Sequence, residues 1–241
     1  LNNIVEGNGG AGISLNASGN ITPTIVGNIA NDNGTYPLML RADTYRIMLT
    51  EEHFHDNQGT GNGVQGVWIT GAFAGTLIPQ SDLVYVTDNI GDIRSGGSTN
   101  YRGSLTVKPD DELVLRPGII IKFTPPGYGT FLIYGVLQTQ GTATNPVVFT
   151  SLSDDVYGGD TNGDGDATSG QPGDWSGIRL MEGSEGILDH FIGHYGGNYY
   201  YYYYPSTAVV VERGGTNIVS ASSADLTLTH SQIAYSALNG I

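Results

Sequence analysis

The stretches NIVEGNGGAGISL (residues 3–15) and NIANDNGTYPLML (residues 28–40) share a spacing of apolar residues that predicts the fold. Ile4 and Ile29 occupy the same place in the two stretches, as do Ile13 and Leu38, and the same interval separates both pairs. Short apolar segments that recur every roughly 20–25 residues between Asn and Gly predict a solenoid, whose coils stack and share one core. Parallel stacking would set Ile over Ile and let the Asn-rich corners form hydrogen-bonded ladders.

The rest of the chain continues as short aliphatic runs, among them ELVL at 112, GIIIKF at 118, FLIYGVL at 131 and NPVVFTS at 145. Each run is followed within a few residues by Gly, Asn, Asp, Pro or Ser, which is typical of an all-β protein. Further copies of the repeat are expected from Phe54 to GVWI at 66, from Ile192 to AVVV at 208, and from Ile233 to Ile241. A β-sandwich is the alternative, but that fold does not require a recurring spacing.

Residues 103–180 contain the segments GSLTVKPDDELVLRPGIIIKF, FLIYGVLQTQGTATNPVVFTSLSDD, GGDTNGDGDAT and PGDWSGIRL. Together these segments resemble right-handed parallel β-helix proteins of bacterial and archaeal surfaces. The resemblance covers residues 103–241 well and residues 1–70 loosely, and its motifs specify an architecture rather than an activity. It implies an all-β, right-handed parallel β-helix that is secreted and displayed at a cell surface.

Charge excludes one class of partner. The 241 residues contain 23 acidic and 9 basic side chains, for a formal net charge of −14, and only two lysines, Lys108 and Lys122. Binding to nucleic acid requires clustered basic residues, so we expect no nucleic-acid partner. No apolar run approaches the roughly 20 residues of a membrane span, and the absence of Cys excludes disulfides and thiolate metal sites.

The stretch GGDTNGDGDAT (residues 158–168) places oxygen-bearing side chains at alternate positions before Gly165, as in the first half of an EF-hand calcium loop. Gln171 stands where an EF-hand has its bidentate Glu, so neighbouring carboxylates would have to complete the site. Hard oxygen donors favour Ca²⁺ over Zn²⁺, and the ion would have a structural role. A solvated Asp-Gly turn is the alternative. The predicted ligands are Asp160, Asn162, Asp164, Asp166, Thr168, Asp154, Asp155 and Asp174.

Six consecutive tyrosines before Pro205 predict an interface, because Tyr combines a large contact area with a hydroxyl group. We expect a partner chain or a neighbouring subunit to cover them, since an exposed aromatic patch is a liability on a monomer. A loop that packs on its own coil is the alternative. These residues are Tyr199, Tyr200, Tyr201, Tyr202, Tyr203 and Tyr204.

Two weaker motifs have ordinary alternatives. Asn16, Asn20 and Asn33 begin Asn-x-Ser/Thr sequences and are possible glycosylation sites, although so short a motif occurs by chance in a chain rich in Asn and Thr. His53 and His55 stand at alternate positions, a spacing that can serve Zn²⁺ binding or acid–base chemistry. No third His lies nearby in sequence, so we interpret the pair as a surface or corner feature.

The segments of residues 103–180, which resemble the opening series of a β-helix, lie in mid-chain, and the final NGI stops within a repeat. We therefore expect both ends of the solenoid to be open. Irregular edge coils are the alternative. We expect one domain over residues 1–241, with continuing coils in 1–95 and the opening series, the calcium loop and further coils in 96–241. Open ends favour head-to-tail self-association into a filament.

The sequence therefore predicts a non-catalytic, extracellular structural protein: a calcium-stabilised subunit or segment of a surface fibre, sheath or adhesin. The alternative is a polysaccharide-binding or polysaccharide-degrading enzyme of the same fold, with carbohydrate as its ligand. Fold analogy is weak support for that activity, and no set of acid, base and neutralising residues occurs at a suitable spacing.

Overall fold

The computed structural model describes residues 1–88, 105–126, 129–197, 219–221 and 223–237. These residues form twenty β-strands, and none of them lies in a helix. Within the same ranges, therefore, no helix is long and apolar enough to cross a membrane.

The strands are short except for two of twelve residues each. The first eight are β1 (Ile4–Glu6), β2 (Ile13–Asn16), β3 (Ile25–Val26), β4 (Ile29–Asn31), β5 (Leu38–Leu49), β6 (Phe54–His55), β7 (Gly66–Leu77) and β8 (Val84–Thr87). The next six are β9 (Leu105–Val107), β10 (Glu112–Leu115), β11 (Ile120–Phe123), β12 (Thr130–Ile133), β13 (Val136–Gln140) and β14 (Val147–Ser151). The last six are β15 (Gly177–Leu180), β16 (Glu185–Asp189), β17 (Phe191–His194), β18 (Val219–Ala221), β19 (Asp225–Thr229) and β20 (Gln232–Ala234).

Sixteen of these strands form one large, curled sheet, and the other four form the pairs β1–β4 and β3–β6. Every ladder between the named strands is parallel. Strand β7 pairs with β5 on one side and with β8, β9 and β10 on the other, so strands from both sides of residues 89–104 belong to the same sheet. The prediction of an all-β chain with stacked parallel strands is confirmed.

The register of the first coils follows the repeat. Ile4 lies opposite Ile29, and Ile13 lies opposite Leu38, so both equivalences predicted from the common spacing are confirmed. Leu38 in turn lies opposite Val67, so the second coil is slightly longer than the first. Parallel pairing sets equivalent residues of successive coils directly over one another, which is why the sequence spacing reports the register.

The predicted copy of the repeat from Phe54 to GVWI is wrong at its start but right at its end, where Val67 pairs with Leu38. Phe54 lies opposite Ile25 rather than in line with Ile29, whose bridge partner in the next coil is Gln58. The coil that contains Phe54 therefore reaches the equivalent position later, at a polar residue that an apolar pattern does not reveal. The other two predicted copies begin in β17 and β20, and their ends, AVVV and Ile241, lie outside the described residues.

Ladders of side-chain amides connect the Asn-rich corners. In the first ladder, the Nδ2 atoms of Asn3 and Asn28 each donate to the Oδ1 atom of the Asn one coil further on, at 2.8 Å in both cases. Asn57 continues this ladder to Gln80 Oε1 at 3.1 Å. A second ladder joins Asn8, Asn33 and Asn62 in the same manner, at 2.9 and 3.0 Å. The amides of Asn28, Asn57, Asn33 and Asn62 both donate and accept, so the corners satisfy their buried polar groups coil by coil.

The core consists of apolar side chains stacked along the ladders, for example Leu105, Phe131, Ile178 and Val219 in consecutive strands of one ladder. An aromatic cluster of Phe123, Phe131, Phe149, Trp175 and Phe191 fills the centre.

The coil between β13 and β16 is the longest that the register defines. Leu137 is about twice as far along the chain from its partner Gly186 as from its other partner, Leu113. The additional length is the segment between β14 and β15, which contains the predicted calcium loop.

Candidate functional site

The segment from residue 152 to residue 176, named the 152–176 loop below, folds over the outer face of β8, β11 and β14. Its position explains why β14 is buried along its whole length, although alternate residues of a strand point to opposite faces. Gly158 sits against Val84, Ile120 and Lys122, and its φ of +75° together with the contact to Val84 leaves no room for a side chain. The loop is therefore packed on the sheet at Gly158.

Lys122, in β11, donates hydrogen bonds to the loop from the sheet beneath it. It lies between the core residues Ile121 and Phe123 and faces the loop, yet it is fully buried. Its Nζ donates to the carbonyl oxygens of Asp154 at 2.8 Å and Gly159 at 2.7 Å. Burial lowers the pKa of Lys122 to about 8, and the nearby carboxylates, Asp154 first among them, oppose that shift.

Two predicted ligands, Asp154 and Asp174, are engaged at the base of the loop. Asp154 Oδ2 accepts from Thr150 Oγ1 at 2.5 Å, and its Oδ1 accepts from the Val156 amide at 3.0 Å. Asp174 Oδ2 accepts from Ser151 Oγ at 2.6 Å and from the Gln171 amide at 2.9 Å. Both carboxylates therefore stabilise the points where the loop leaves and rejoins the sheet, and neither belongs to the acidic group described next.

Asp155, Asp160 and Asp164 form that acidic group, with one carboxylate oxygen from each within 4.8 Å of the others. Asp160 accepts hydrogen bonds from the backbone amides of Asp164 and Gly165 at 3.1 and 2.9 Å, so the loop curls around its carboxylate. Desolvation and then the charge of Asp160 raise the pKa of Asp155. Three carboxylates this close repel one another unless a cation neutralises them.

Between residues 155 and 164 of this loop, three oxygens are buried without a hydrogen-bond partner: Asp155 Oδ1, Asn162 Oδ1 and Asp164 Oδ1. Unpaired buried acceptors are rare because each costs the free energy of its lost hydration. The other oxygen of Asp164 accepts from Asn162 Nδ2 at 2.8 Å and Thr168 Oγ1 at 2.5 Å. A set of hard oxygen donors with three unsatisfied members fits a Ca²⁺ ion.

The remaining predicted ligands are less central. Thr168 contacts the acidic group through Asp164 and Asn162, and its side chain is exposed. Asp166 is exposed, and its carboxylate does not belong to the group of three. The sequence analysis did not identify Lys122 as a functional residue. The pattern that could have identified it is a lysine within an otherwise apolar strand. The sequence analysis also missed the contact from the Gln65 amide to the Thr161 carbonyl at 2.7 Å, which joins the loop to an earlier coil.

The other candidate residues do not converge with the loop. The six tyrosines from Tyr199 to Tyr204 lie outside the described residues. Asn16 and Asn20 are exposed, whereas Asn33 is 1% exposed and its amide belongs to the second ladder, so the folded chain does not present it to solvent. His53 binds Thr50 and His55 binds Asp56, each at 2.8 Å, so these two histidines have separate partners.

No protein-family model, no curated protein and no solved structure matches this chain.

Proposed function

We propose that this chain is a non-catalytic, extracellular structural segment: a right-handed parallel β-helix, stiffened by Ca²⁺, that stacks head to tail in a surface fibre, sheath or adhesin. The parallel ladders support the β-helix. β9, β12, β15 and β18 follow one another in one ladder, β10, β13, β16 and β19 in a second, and β8, β11, β14, β17 and β20 in a third. A chain that visits three parallel ladders in turn advances by one strand spacing per coil, and crossovers between parallel strands are almost always right-handed.

One observation carries the proposal of self-association. Among the described residues, β1, β2 and β3 at one end of the stack pair on one side only, and so do β18, β19 and β20 at the other end. Ile4 in β1 is 68% exposed. Each end therefore offers three parallel strand edges, and one copy of the chain could add its last coil to the first coil of another. Such a contact is heterologous and produces a filament rather than a closed ring.

The proposed Ca²⁺ would be held by Asp155, Asp160 and Asp164, with Asn162 Oδ1 as a neutral ligand. It would satisfy the three unpaired buried oxygens and remove the repulsion among the carboxylates. Its effect would be mechanical, because the loop covers β8, β11 and β14 and also binds the earlier coil at Gln65. An ordered loop would thus stiffen several coils at once. The overall charge of −14 suits a surface that binds cations.

Negative-stain electron microscopy of the purified chain, with Ca²⁺ and with chelator, tests this function. We expect filaments whose axial repeat matches one subunit, more regular with Ca²⁺ than with chelator. Ile4→Lys is the matched variant, because an exposed lysine on an edge strand opposes strand addition without touching the core. It should give isolated short rods. Isolated rods from the unaltered chain in both solutions would contradict head-to-tail assembly.

A second candidate function, carbohydrate binding, is favoured by an aromatic patch beside the loop. The rings of Tyr195 and Tyr235 stack with centroids 5.3 Å apart, and His194 lies edge-on to both. Tyr157 also lies edge-on to His194, with ring centroids 5.6 Å apart, and Tyr235 is 58% exposed. Aromatic faces of this kind bind sugar rings. Titration with soluble polysaccharides would detect binding. Tyr235→Asn should weaken that binding because it removes one ring of the patch, and Asn tolerates the left-handed backbone of this position.

A further inference from the structure

A second group of ligand side chains lies at a corner of the stack, independently of the calcium loop and of the function proposed above. Asp189 is the last residue of β16, and His190 follows it. In the next coil Thr229 is the last residue of β19, and His230 follows it. Asp189 and Thr229 are register partners, so the two histidines occupy the same corner of successive coils.

The repeated corner brings the two imidazoles together. His190 and His230 both have left-handed backbones, with φ of +46° and +49°. An identical bend on adjacent strands, which are about 4.8 Å apart, projects the side chains in parallel. The rings accordingly stack with centroids 4.7 Å apart and an interplanar angle of 16°. Hydrogen bonds from Ser231 Oγ to the Thr229 carbonyl and from the Phe191 amide to Ser231 Oγ stabilise the bend.

Both imidazoles turn the same nitrogen toward one carboxylate. His230 Nδ1 lies 2.9 Å and His190 Nδ1 3.2 Å from Asp189 Oδ1, which also accepts from Thr229 Oγ1 at 2.7 Å. His190 Nδ1 is buried and makes no well-formed hydrogen bond. The three potential ligand atoms lie within 4.8 Å of one another.

We propose that Asp189, His190 and His230 bind a divalent transition-metal ion, with Zn²⁺ as the best fit. Two imidazole nitrogens and one carboxylate oxygen form a typical three-residue zinc set, and water would complete a tetrahedron at this exposed corner. Nitrogen ligands in a tetrahedral zinc site lie about 3.3 Å apart, for metal–nitrogen bonds of about 2.0–2.1 Å. The ligand atoms of His190 and His230 lie within 4.8 Å of each other. Rotation of the His230 ring, whose side chain is 68% exposed, can bring them to the shorter distance of a zinc site.

The site would link two coils. His190 and Asp189 belong to the coil of β16, and His230 belongs to the next coil, that of β19. A bound ion would therefore crosslink the stack across the strand spacing and stabilise its last described coils. Imidazole nitrogen distinguishes this site from the all-oxygen calcium loop, because Ca²⁺ prefers oxygen ligands.

Isothermal titration of the full chain with Zn²⁺, in a large excess of Ca²⁺ that occupies the acidic loop, tests the proposal. We expect one Zn²⁺ ion per chain, with an affinity at least tenfold lower in His230→Asn. Asn suits the left-handed backbone of this residue, and the exposure of His230 makes loss of folding unexpected. His55→Asn is the control, because His55 also contacts an Asp but belongs to no group of three potential metal ligands among the described residues. It should bind Zn²⁺ as the unaltered chain does.

Substitution of Co²⁺ for Zn²⁺ supplies a readout of the ligands themselves. We expect the visible d–d absorption of a tetrahedral cobalt site in the unaltered chain and in His55→Asn, and its loss in His230→Asn. Circular dichroism would check that all three chains have the same fold. Either equal Zn²⁺ affinity in His230→Asn and the unaltered chain, or no Zn²⁺ binding to the unaltered chain, would overturn the proposal.

Discussion

Removal of one amide from the middle of the first Asn ladder should destabilise the stack far more than removal of the amide at its end. Asn57 is fully buried, and its side chain makes four hydrogen bonds. Its Oδ1 accepts from the backbone and side-chain amides of Asn28, at 3.2 and 2.8 Å. Its Nδ2 donates to the Ile25 carbonyl at 2.8 Å and to Gln80 Oε1 at 3.1 Å. Asn57→Ala deletes all four and leaves their partners buried.

The expected loss follows from these bonds. A net contribution of about 1 kcal/mol for each hydrogen bond predicts that Asn57→Ala lowers the free energy of unfolding by roughly 4 kcal/mol. Asn3→Ala is the matched control, because Asn3 is exposed and its side chain makes one ladder bond, to Asn28 at 2.8 Å. That substitution should cost about 1 kcal/mol or less.

Urea unfolding followed by circular dichroism would measure both free energies, with the slope against urea as a check that the same structure unfolds. The sign of the difference is the decisive result. If Asn57→Ala loses no more stability than Asn3→Ala, the corner ladders do not stabilise the stack, and the reasoning from buried amide bonds is wrong. A changed slope would instead report that the coils no longer unfold together.

Three further perturbations test the loop and the core. Asp164→Asn should reduce the rise in melting temperature that Ca²⁺ produces, whereas Asp166→Asn, outside the acidic group, should not; equal rises in both variants would exclude the proposed ligands. Because burial lowers the pKa of Lys122 from 10.5 to about 8, the folded chain binds fewer protons than the unfolded chain between these values. The free energy of unfolding, measured with urea, should therefore increase from pH 8 to pH 10 in the unaltered chain. The same increase with pH in a Lys122→Met chain would show that Lys122 is not its cause. Phe149→Ala removes a fully buried ring whose centroid lies 5.2 Å from that of Phe191, and should cost about 3–5 kcal/mol of unfolding free energy, against little change for exposed Tyr45→Ala.

The parts of the fold that repeat could be predicted from the amino-acid pattern. The regular spacing predicted that Ile4 pairs with Ile29 and Ile13 with Leu38, and the Asn-rich corners predicted the amide ladders. These features are readable because a stacked coil imposes the same demand on the same position of each repeat. Where a polar residue takes an equivalent position, as Gln58 does, the apolar pattern no longer reports the register.

Which side chains meet across the stack could be seen only in the folded chain. Asp154 and Asp174 are carboxylates of the kind that bind calcium, but they accept hydrogen bonds from Thr150 and Ser151 at the base of the loop. Lys122 is buried because a loop from a later part of the chain folds over it. His190 and His230 are distant in sequence, and only the register of β16 with β19 stacks their rings. Such contacts depend on where loops fold in three dimensions, whereas periodicity records only the demands that each coil repeats.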